Sequence, residues 1–309
     1  MLTVVVRRVL SLVPVLFVIS VVTFVLMTSV PGSPFSKEDK PLPPQIQANL
    51  EAYYDLDRPL VEQYLVYMGN VLRGDFGPSY MQRNRSVNDI IAAHLPVSAV
   101  LGVLGLAVAV LVGLPMGIIS ALRPNTWVDH AAMFFAVAGV SVPAMTLGPL
   151  LIWFFALELG WLPVARWGTW QQAVLPAITL GIGHAAVIAR LTRASMLQVV
   201  HEDFIRTARA KGLPEAQVVV KHALRNALIP VVTVLGPLFA ALVTGSLVVE
   251  QIFAVPGLGR YFVDSVSGRD YPVIMGTTLL FAVVLVVANL VVDLTYAVID
   301  PRIGTGGDA

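Results

Sequence analysis

The 309-residue sequence has no cysteine. That excludes a disulfide framework and cysteine-based zinc or redox chemistry. Charge is also scarce: Asp, Glu, Lys and Arg together make 13% of the chain, against about 25% in soluble domains. With a formal net charge of +1 there is no dense Lys/Arg face to meet phosphates, so no nucleic-acid partner is expected. No Gly-Lys pair occurs, so the G-x-x-x-x-G-K-[ST] phosphate loop is missing and the chain does not bind ATP through a P-loop of its own. Neither H-E-x-x-H nor G-x-S-x-G is present. The histidines His94, His130, His184, His201 and His222 are scattered without metal-ligand spacing. No catalytic residue, metal site or cofactor is therefore expected in this chain, which reads as a non-enzyme.

What the chain has in abundance is apolar surface. Hydrophobic residues make 57% of it and the mean hydropathy is +0.79. A helix needs about 20 mostly apolar residues to cross the hydrocarbon core. Six runs qualify: Val9–Val30, Pro96–Leu122, Ala131–Leu157, Val174–Val200, Ala227–Val249 and Val273–Ile299. In the fourth, Arg190 and Arg193 place the end of the membrane part near Ala189. Arg7 and Arg8 precede the first run, which is longer than the roughly 7–15 residues of a signal h-region. Thr28–Gly32 matches a cleavage site poorly, so the run reads as a retained span. The runs are too continuous for barrel strands. Helices satisfy every backbone group internally in lipid, and the prolines inside several runs (Pro14, Pro115, Pro143, Pro149, Pro176, Pro237) are tolerated there as kinks. The expected fold is an all-α integral membrane protein with about six transmembrane helices, a single domain over residues 1–309.

The Lys/Arg bias sets orientation. Arg7 and Arg8 place the N-terminus in the cytoplasm, and six spans return the C-terminus there. The loop after the fourth span is then cytoplasmic, and it is the most basic stretch, with Arg190, Arg193, Arg206, Arg209, Lys211, Lys221 and Arg225. Residues 31–95 fall outside. Within them Ile46–Tyr54 and Leu60–Leu72 read as helices and Gly74–Pro78 as a turn. This segment is a small outer helical cap between the first two spans.

Residues 201–226 form the most informative loop. Ile205, Ala208 and Gly212 lie near one face of a short helix, with Arg206, Arg209 and Lys211 on the others. Gly212 permits a sharp helix end and Pro214 forbids continuation. Two readings are open: a helix that lies in the groove of a partner protein, or an ordinary basic cytoplasmic loop.

These residues resemble the "EAA" loop of permease subunits of bacterial ABC importers. Gly212 and Ala208 match its glycine and second alanine, and Leu224 its leucine. Arg206 and Thr207 replace the Glu-Ala, and His222 and Arg225 replace the isoleucine and proline. The run Phe204-Ile205-Arg206-Thr207-Ala208-Arg209-Ala210-Lys211-Gly212-Leu213, with His222–Pro230 after it, is similar to the dipeptide/oligopeptide branch. Further blocks resemble the same branch in order: Leu56-Asp57-Arg58-Pro59-Leu60, Gly74-Asp75-Phe76-Gly77, Ser141-Val142-Pro143, Gly160-Trp161-Leu162-Pro163, Pro256-Gly257-Leu258-Gly259, Arg269-Asp270-Tyr271-Pro272, Asp293–Tyr296 and Asp300-Pro301-Arg302. The large outer segment resembles the first, B-type permease of the pair. The resemblance implies a type I ABC importer-like permease in the bacterial inner membrane. It also implies that the Phe204–Leu213 helix couples the chain to ATPase subunits. The implied partners are a second homologous permease, two cytoplasmic ATP-binding subunits carrying ATP and Mg, and an external substrate-binding protein that delivers a peptide. Nickel chelates, glutathione or oligosaccharides are alternative solutes of the same branch.

The pathway candidates are Glu250, Gln251, Asn289 and Asp293. An intramembrane carboxylate such as Asp293 faces the bundle interior or water. It reads either as a pathway residue or as a structural hydrogen-bond partner of Tyr296, and Asn289 lies one turn deeper on the same side. Glu250 at the outer end of the fifth span could meet a peptide amine, or pair with Arg260 or Arg269. His184 reads as a packing residue, and Gly113-x-x-x-Gly117 as a helix crossing. A stand-alone secondary transporter would need more intramembrane ionisable groups and paired repeats. A membrane hydrolase would need a nucleophile and base brought together by the fold.

Overall fold

The computed structural model describes residues 2–30, 32–35, 43–82, 84–244 and 246–299, and their side chains except those of 2–9, 11, 293 and 295–299. Residues 36–42, the Asp300-Pro301-Arg302 block and residues 304–309 lie outside the described residues. Among the described residues the chain is helical, and its one extended pairing is an isolated bridge between Pro78 and Ser86. In order the helices are α1 (Leu2–Ser29), α2 (Pro44–Tyr53), α3 (Leu60–Val71), α4 (Val87–Leu122), α5 (Trp127–Ser141), α6 (Ala144–Leu151) and α7 (Trp170–Val199). Then follow α8 (Asp203–Ala210), α9 (Glu215–Gln217), α10 (Leu224–Ala227), α11 (Ile229–Thr244), α12 (Leu247–Ile252), α13 (Leu258–Gly268) and α14 (Tyr271–Ile299). Wider π turns continue α6 over Ile152–Glu158 and join α9 to α10 over Val218–Ala223.

α1, α4, α7 and α14 are long and apolar enough to cross a membrane unbroken. Two further spans are bent pairs, which brings the count to six if each pair is one span. The expected third span, Ala131–Leu157, is broken: α5 and the α6 stretch to Glu158 meet at 102°. Val142 is extended (φ −91°, ψ 113°) and Pro143 begins α6. The proline ring disfavours helical geometry at the residue before it. The expected fifth span, Ala227–Val249, also differs. Its helix starts at Glu215, bends by 52° before Ile229, and ends at Thr244. Pro230 lies at that bend, where it has no N–H to donate and its ring crowds the carbonyl one turn back. The helix of the fourth span, α7, runs on past Ala189, the expected end of its membrane part, through Arg190 and Arg193 to Val199.

The chain resolves into two compact units. One comprises Ser98–Pro256 with Met1–Val5 and Leu285–Ala309; the other comprises Val6–Val97 with Gly257–Val284. In the second unit the two short helices expected between the first spans are present as α2 and α3. α3 is tied to α1 by a 2.7 Å hydrogen bond between the Tyr64 and Ser20 hydroxyls, and by the edge of Phe24 against the Tyr64 ring. Val87, Ile90, Leu258 and Val273 make its buried core. The buried Asp270 carboxylate accepts from the Ser79 hydroxyl and from the N–H groups of Tyr80 (3.1 Å) and Met81 (3.2 Å).

In the first unit α7 is the hub, packed on α5, α6 and α11. Small residues let α4 approach its backbone, as the Gly113/Gly117 spacing predicts. A Cβ on Gly113 would meet the Ala185 carbonyl oxygen, and one on Gly117 would lie 2.6 Å from the Ala189 oxygen. A Cβ on Gly181 would meet the Gly105 carbonyl oxygen and lie 2.7 Å from Val108, whereas one on Gly183 would meet nothing within 4 Å. The Gly181→Val variant is therefore predicted to lose about 1–3 kcal/mol to overpacking, while Gly183→Ala stays within about 1 kcal/mol of the parent. Thermal unfolding of the two purified variants in one detergent checks the contrast.

Candidate functional site

The loop helix α8 is built by local sequence. Asp203 in its first turn and Arg209 in its last complement the helix dipole. Its end is a Schellman-type turn: Gly212 adopts φ +73°, its N–H donates to the Arg209 carbonyl at 2.9 Å, and the Leu213 N–H reaches back to the Ala208 carbonyl at 3.5 Å. Arg209 and Glu215 then close the turn with two hydrogen bonds, at 3.1 and 2.7 Å.

One face of α8 is rooted in the protein. Ile205 has no exposed surface and Ala208 is buried; both join a core of Ala121 from α4, Met196 from α7, and Val218, Val219, Ala223 and Ala227 from the helix that follows. Leu213, just beyond the glycine, packs on the same core. The small-residue face of the helix is thus consumed inside the chain. The rest of the helix surface is open: Phe204, on the flank one turn before Ala208, is 42% exposed, and Arg206, Thr207, Ala210 and Lys211 are exposed. A helix whose back is fixed and whose outer side carries an exposed aromatic ring and the exposed Arg206 and Lys211 is a surface suited to a protein groove.

The supports of that core are themselves fastened. Asp129 on α5, buried, receives both Nε (2.8 Å) and Nη2 (2.6 Å) of Arg193 on α7. The Ser120 hydroxyl on α4 and the Asn125 N–H (2.9 Å) complete its shell. Ends of three helices are thereby joined through one carboxylate. Neither Asp129 nor this pairing was readable from spacing, because the partners stand 64 residues apart.

The pathway candidates divide. Glu250 has no exposed surface, and its Oε1 accepts from the hydroxyls of Ser98 (2.6 Å) and Ser246 (2.5 Å). Gln251 is exposed and Asn289 half-buried, while the side chain of Asp293 lies outside those described. The break between α5 and α6 opens a cavity of about 320 Å³ lined by Val142, Pro143, Thr179, His184 and Val249. His184 shares a 3.0 Å hydrogen bond between Nδ1 and the Leu180 carbonyl, as expected of a packing residue, yet it also borders this cavity. Helix breaks at membrane depth are places where transporters present backbone polar groups to solutes. Ser141-Val142-Pro143 was the signal that could have located it.

Up to six helical spans, two of them broken, and a loop helix rooted in the core define a polytopic α-helical membrane protein of permease type. Comparison with known proteins agrees. The family described as binding-protein-dependent transport system inner membrane component matches residues 113–305, and its N-terminal membrane component matches residues 1–102. The chain belongs to this family. It is 49% identical over 298 residues to the dipeptide transport system permease protein DppB of Bacillus subtilis, covering 96% of each chain. It is 44% identical over 305 residues to the oligopeptide permease OppB of Salmonella typhimurium, covering 98% of this chain and 99% of that one. It is 47% identical over 304 residues to the glutathione permease GsiC of Escherichia coli, with the same coverage. In fold it is similar to a methionine ABC transporter in an inward-facing conformation (TM-score 0.56, 22% identity, 68% of this chain and 96% of that one). It is also similar to an amino acid ABC transporter (TM-score 0.53, 18% identity, 67% and 93%). The resemblance read from Phe204–Leu213 and the ordered blocks is borne out, as is the all-α, type I importer-like fold.

Two neighbouring residues on α8 have opposite structural weight. Ile205→Ala is predicted to cost about 2–5 kcal/mol of stability through the cavity it leaves. Phe204→Ala, on the free face, changes stability by no more than about 0.5 kcal/mol. Unfolding temperatures of the two variants in detergent read the difference directly.

Proposed function

We propose that this chain is the membrane-spanning subunit through which an ATP-driven, binding-protein-dependent importer takes up di- and oligopeptides. Its place is the bacterial inner membrane, with both termini in the cytoplasm. Residues 31–95 form an external cap and residues 201–226 a cytoplasmic coupling loop on a single permease domain. A second homologous permease completes the pathway, two cytoplasmic ATP-binding subunits hold ATP and Mg, and an external binding protein delivers the solute. The chain itself carries out no chemistry.

The observation that carries this reading is the loop helix: rooted by Ile205, Ala208 and Leu213, free at Phe204 and Arg206, in a chain with no phosphate-binding loop. Closure of the ATP-binding pair pushes on that free face. Because the back of α8 shares a core with α4, α7 and the helix leading into α11, the push is delivered to spans rather than lost in a flexible loop. Rocking of those spans alternates access to the pathway. The α5–α6 break with His184 is a candidate part of its wall, and Gln251, Asn289 and Asp293 remain candidates beside it. Glu250, enclosed by Ser98 and Ser246, serves better as a fixed carboxylate within the bundle. The peptide solute is supported by the dipeptide and oligopeptide relatives. Glutathione, itself a tripeptide, is the second reading and rests on the 47% relative.

In membrane vesicles holding the full complex, ATP is expected to drive uptake of a labelled dipeptide. Excess unlabelled oligopeptide competes with it better than glutathione does. Phe204→Asp is expected to lower that uptake about 10-fold or more, the scale of a lost interface hot spot, at unchanged membrane level and unfolding temperature. Undiminished uptake by that variant would refute the coupling role. Uptake that needs no ATP would refute the importer.

A further inference from the structure

The segment between α1 and α4, with the end of α1 and the start of α14, lines a cavity of about 280 Å³, just under the roughly 300–1,000 Å³ of ligand sites. Its wall is aromatic: the rings of Tyr53, Tyr54, Tyr67, Phe76, Tyr80 and Tyr271 line it. These rings brace one another. Tyr54 lies 4.6 Å from Tyr80 and stands edge-on to Tyr53 at 4.9 Å, and Tyr80 meets Tyr271 at 6.2 Å between centroids. The backbone under Tyr80 is held by the Asp270 carboxylate, whose hydrogen-bond partners among the described residues are neutral.

Two features say what the cavity accepts. Tyr67 lines it, and its hydroxyl is buried and has no hydrogen-bond partner among the described residues. A buried hydroxyl left in that state costs about 1–3 kcal/mol, which a polar ligand atom would recover. The second feature is the sign of the field. Aromatic faces are negative. Asp55 and Arg58 at the wall form a half-exposed ion pair at 2.8 Å; behind the rings Asp270 bears on Tyr54 and Tyr80 and Asp75 on Tyr67, opposed by Arg269 at Tyr271. Burial, and then the Asp270 carboxylate, hold the Tyr80 phenol above its ordinary range, and Asp55 adds to the effect. Carboxylate or phosphate ligands are disfavoured in such a site, and a cation is favoured.

We propose that this cavity binds a small organic ammonium, its apolar part enclosed by the tyrosine rings and one N–H donated to the Tyr67 Oη. The amino end of a peptide and the head of an ethanolamine lipid share that chemistry. The site does not depend on the transport reading above.

The test uses the full chain in nanodiscs of phosphatidylglycerol alone, titrated with phenethylammonium and with the neutral isostere 2-phenylethanol, and followed by calorimetry and saturation-transfer NMR. Phenethylammonium is expected to saturate and to bind about 10-fold more tightly than the alcohol. Tyr80→Leu is expected to weaken it about 2- to 30-fold. Tyr67→Phe, which keeps the ring and the fold, weakens it about 10-fold. Failure to saturate, equal binding of the alcohol, or an unchanged Tyr67→Phe variant would each overturn the proposal. Displacement of the probe by a dipeptide but not its N-acetyl form assigns the natural source to solute, and displacement by short-chain phosphatidylethanolamine assigns it to lipid; displacement by neither overturns it. Lost ammonium binding with peptide uptake intact counts against this site alone, and lost uptake with binding intact counts against the transport reading alone.

Discussion

Helix α7 is held so tightly that the rest of its unit is built around it. Along one side α4 lies at backbone contact distance, which only Gly105, Gly113, Gly117 and Gly181 permit. In a membrane, helices gain little from hydrophobicity when they associate, so packing at this range is the main source of attraction between them. At the C-terminal end of α7 the Arg193 guanidinium is bound to Asp129 through both oxygens. A charge of either sign alone would be costly at that depth, and removing one partner of a buried pair leaves the other uncompensated. The same turns of α7 carry Met196, Leu197, Val199 and Val200 into the core that seats α8.

Transport needs parts that are fixed and parts that can change. The fixed part is that joined set of helix ends. The breaks at Pro143 and Pro230 supply the irregular geometry. Each is placed by a proline that removes a backbone donor, and each leaves polar backbone groups that lipid could not satisfy. In the first case the consequence is a cavity with His184 and Thr179 at its side. The wider π turn at Val218–Ala223 lies in the helix that both packs on α8 and feeds the second break, so a shift of the loop helix has a direct path into α11.

Much of this was legible in the sequence because it is local. Apolar runs of span length, the two short helices before Gly74, the glycine that ends α8, and the Gly113/Gly117 crossing all follow from periodicity, length and turn chemistry. The remainder depends on tertiary partners. Asp129 and Arg193 stand in different spans, and spans that are apolar on every side have no amphipathic stripe to indicate which face turns inward. Proline was read as a tolerated kink, which holds for Pro14, Pro115 and Pro176. Pro143 instead ends a helix outright, because Val142 before it is extended. The sequence shows that α8 has a small-residue face but not what covers it. Its burial was hidden because the residues that cover it come from helices on both sides of the loop. Glu250 was read as meeting a peptide amine or as pairing with Arg260 or Arg269, and the sequence did not point to Ser98, which donates to it from 152 positions away.

The chain's lack of cysteine makes the central claim, that α8 shows an outside partner its Phe204 face and keeps its Ile205 face, open to a direct measurement. Single Phe204→Cys and Ile205→Cys variants would be treated in native membranes with a short thiol crosslinker, and the adducts sized and sequenced. The predicted result is a crosslink from position 204 to the ATP-binding subunits and none from position 205. A crosslink from 205 as strong as that from 204, or none from either, would contradict the rooted, outward-facing loop helix.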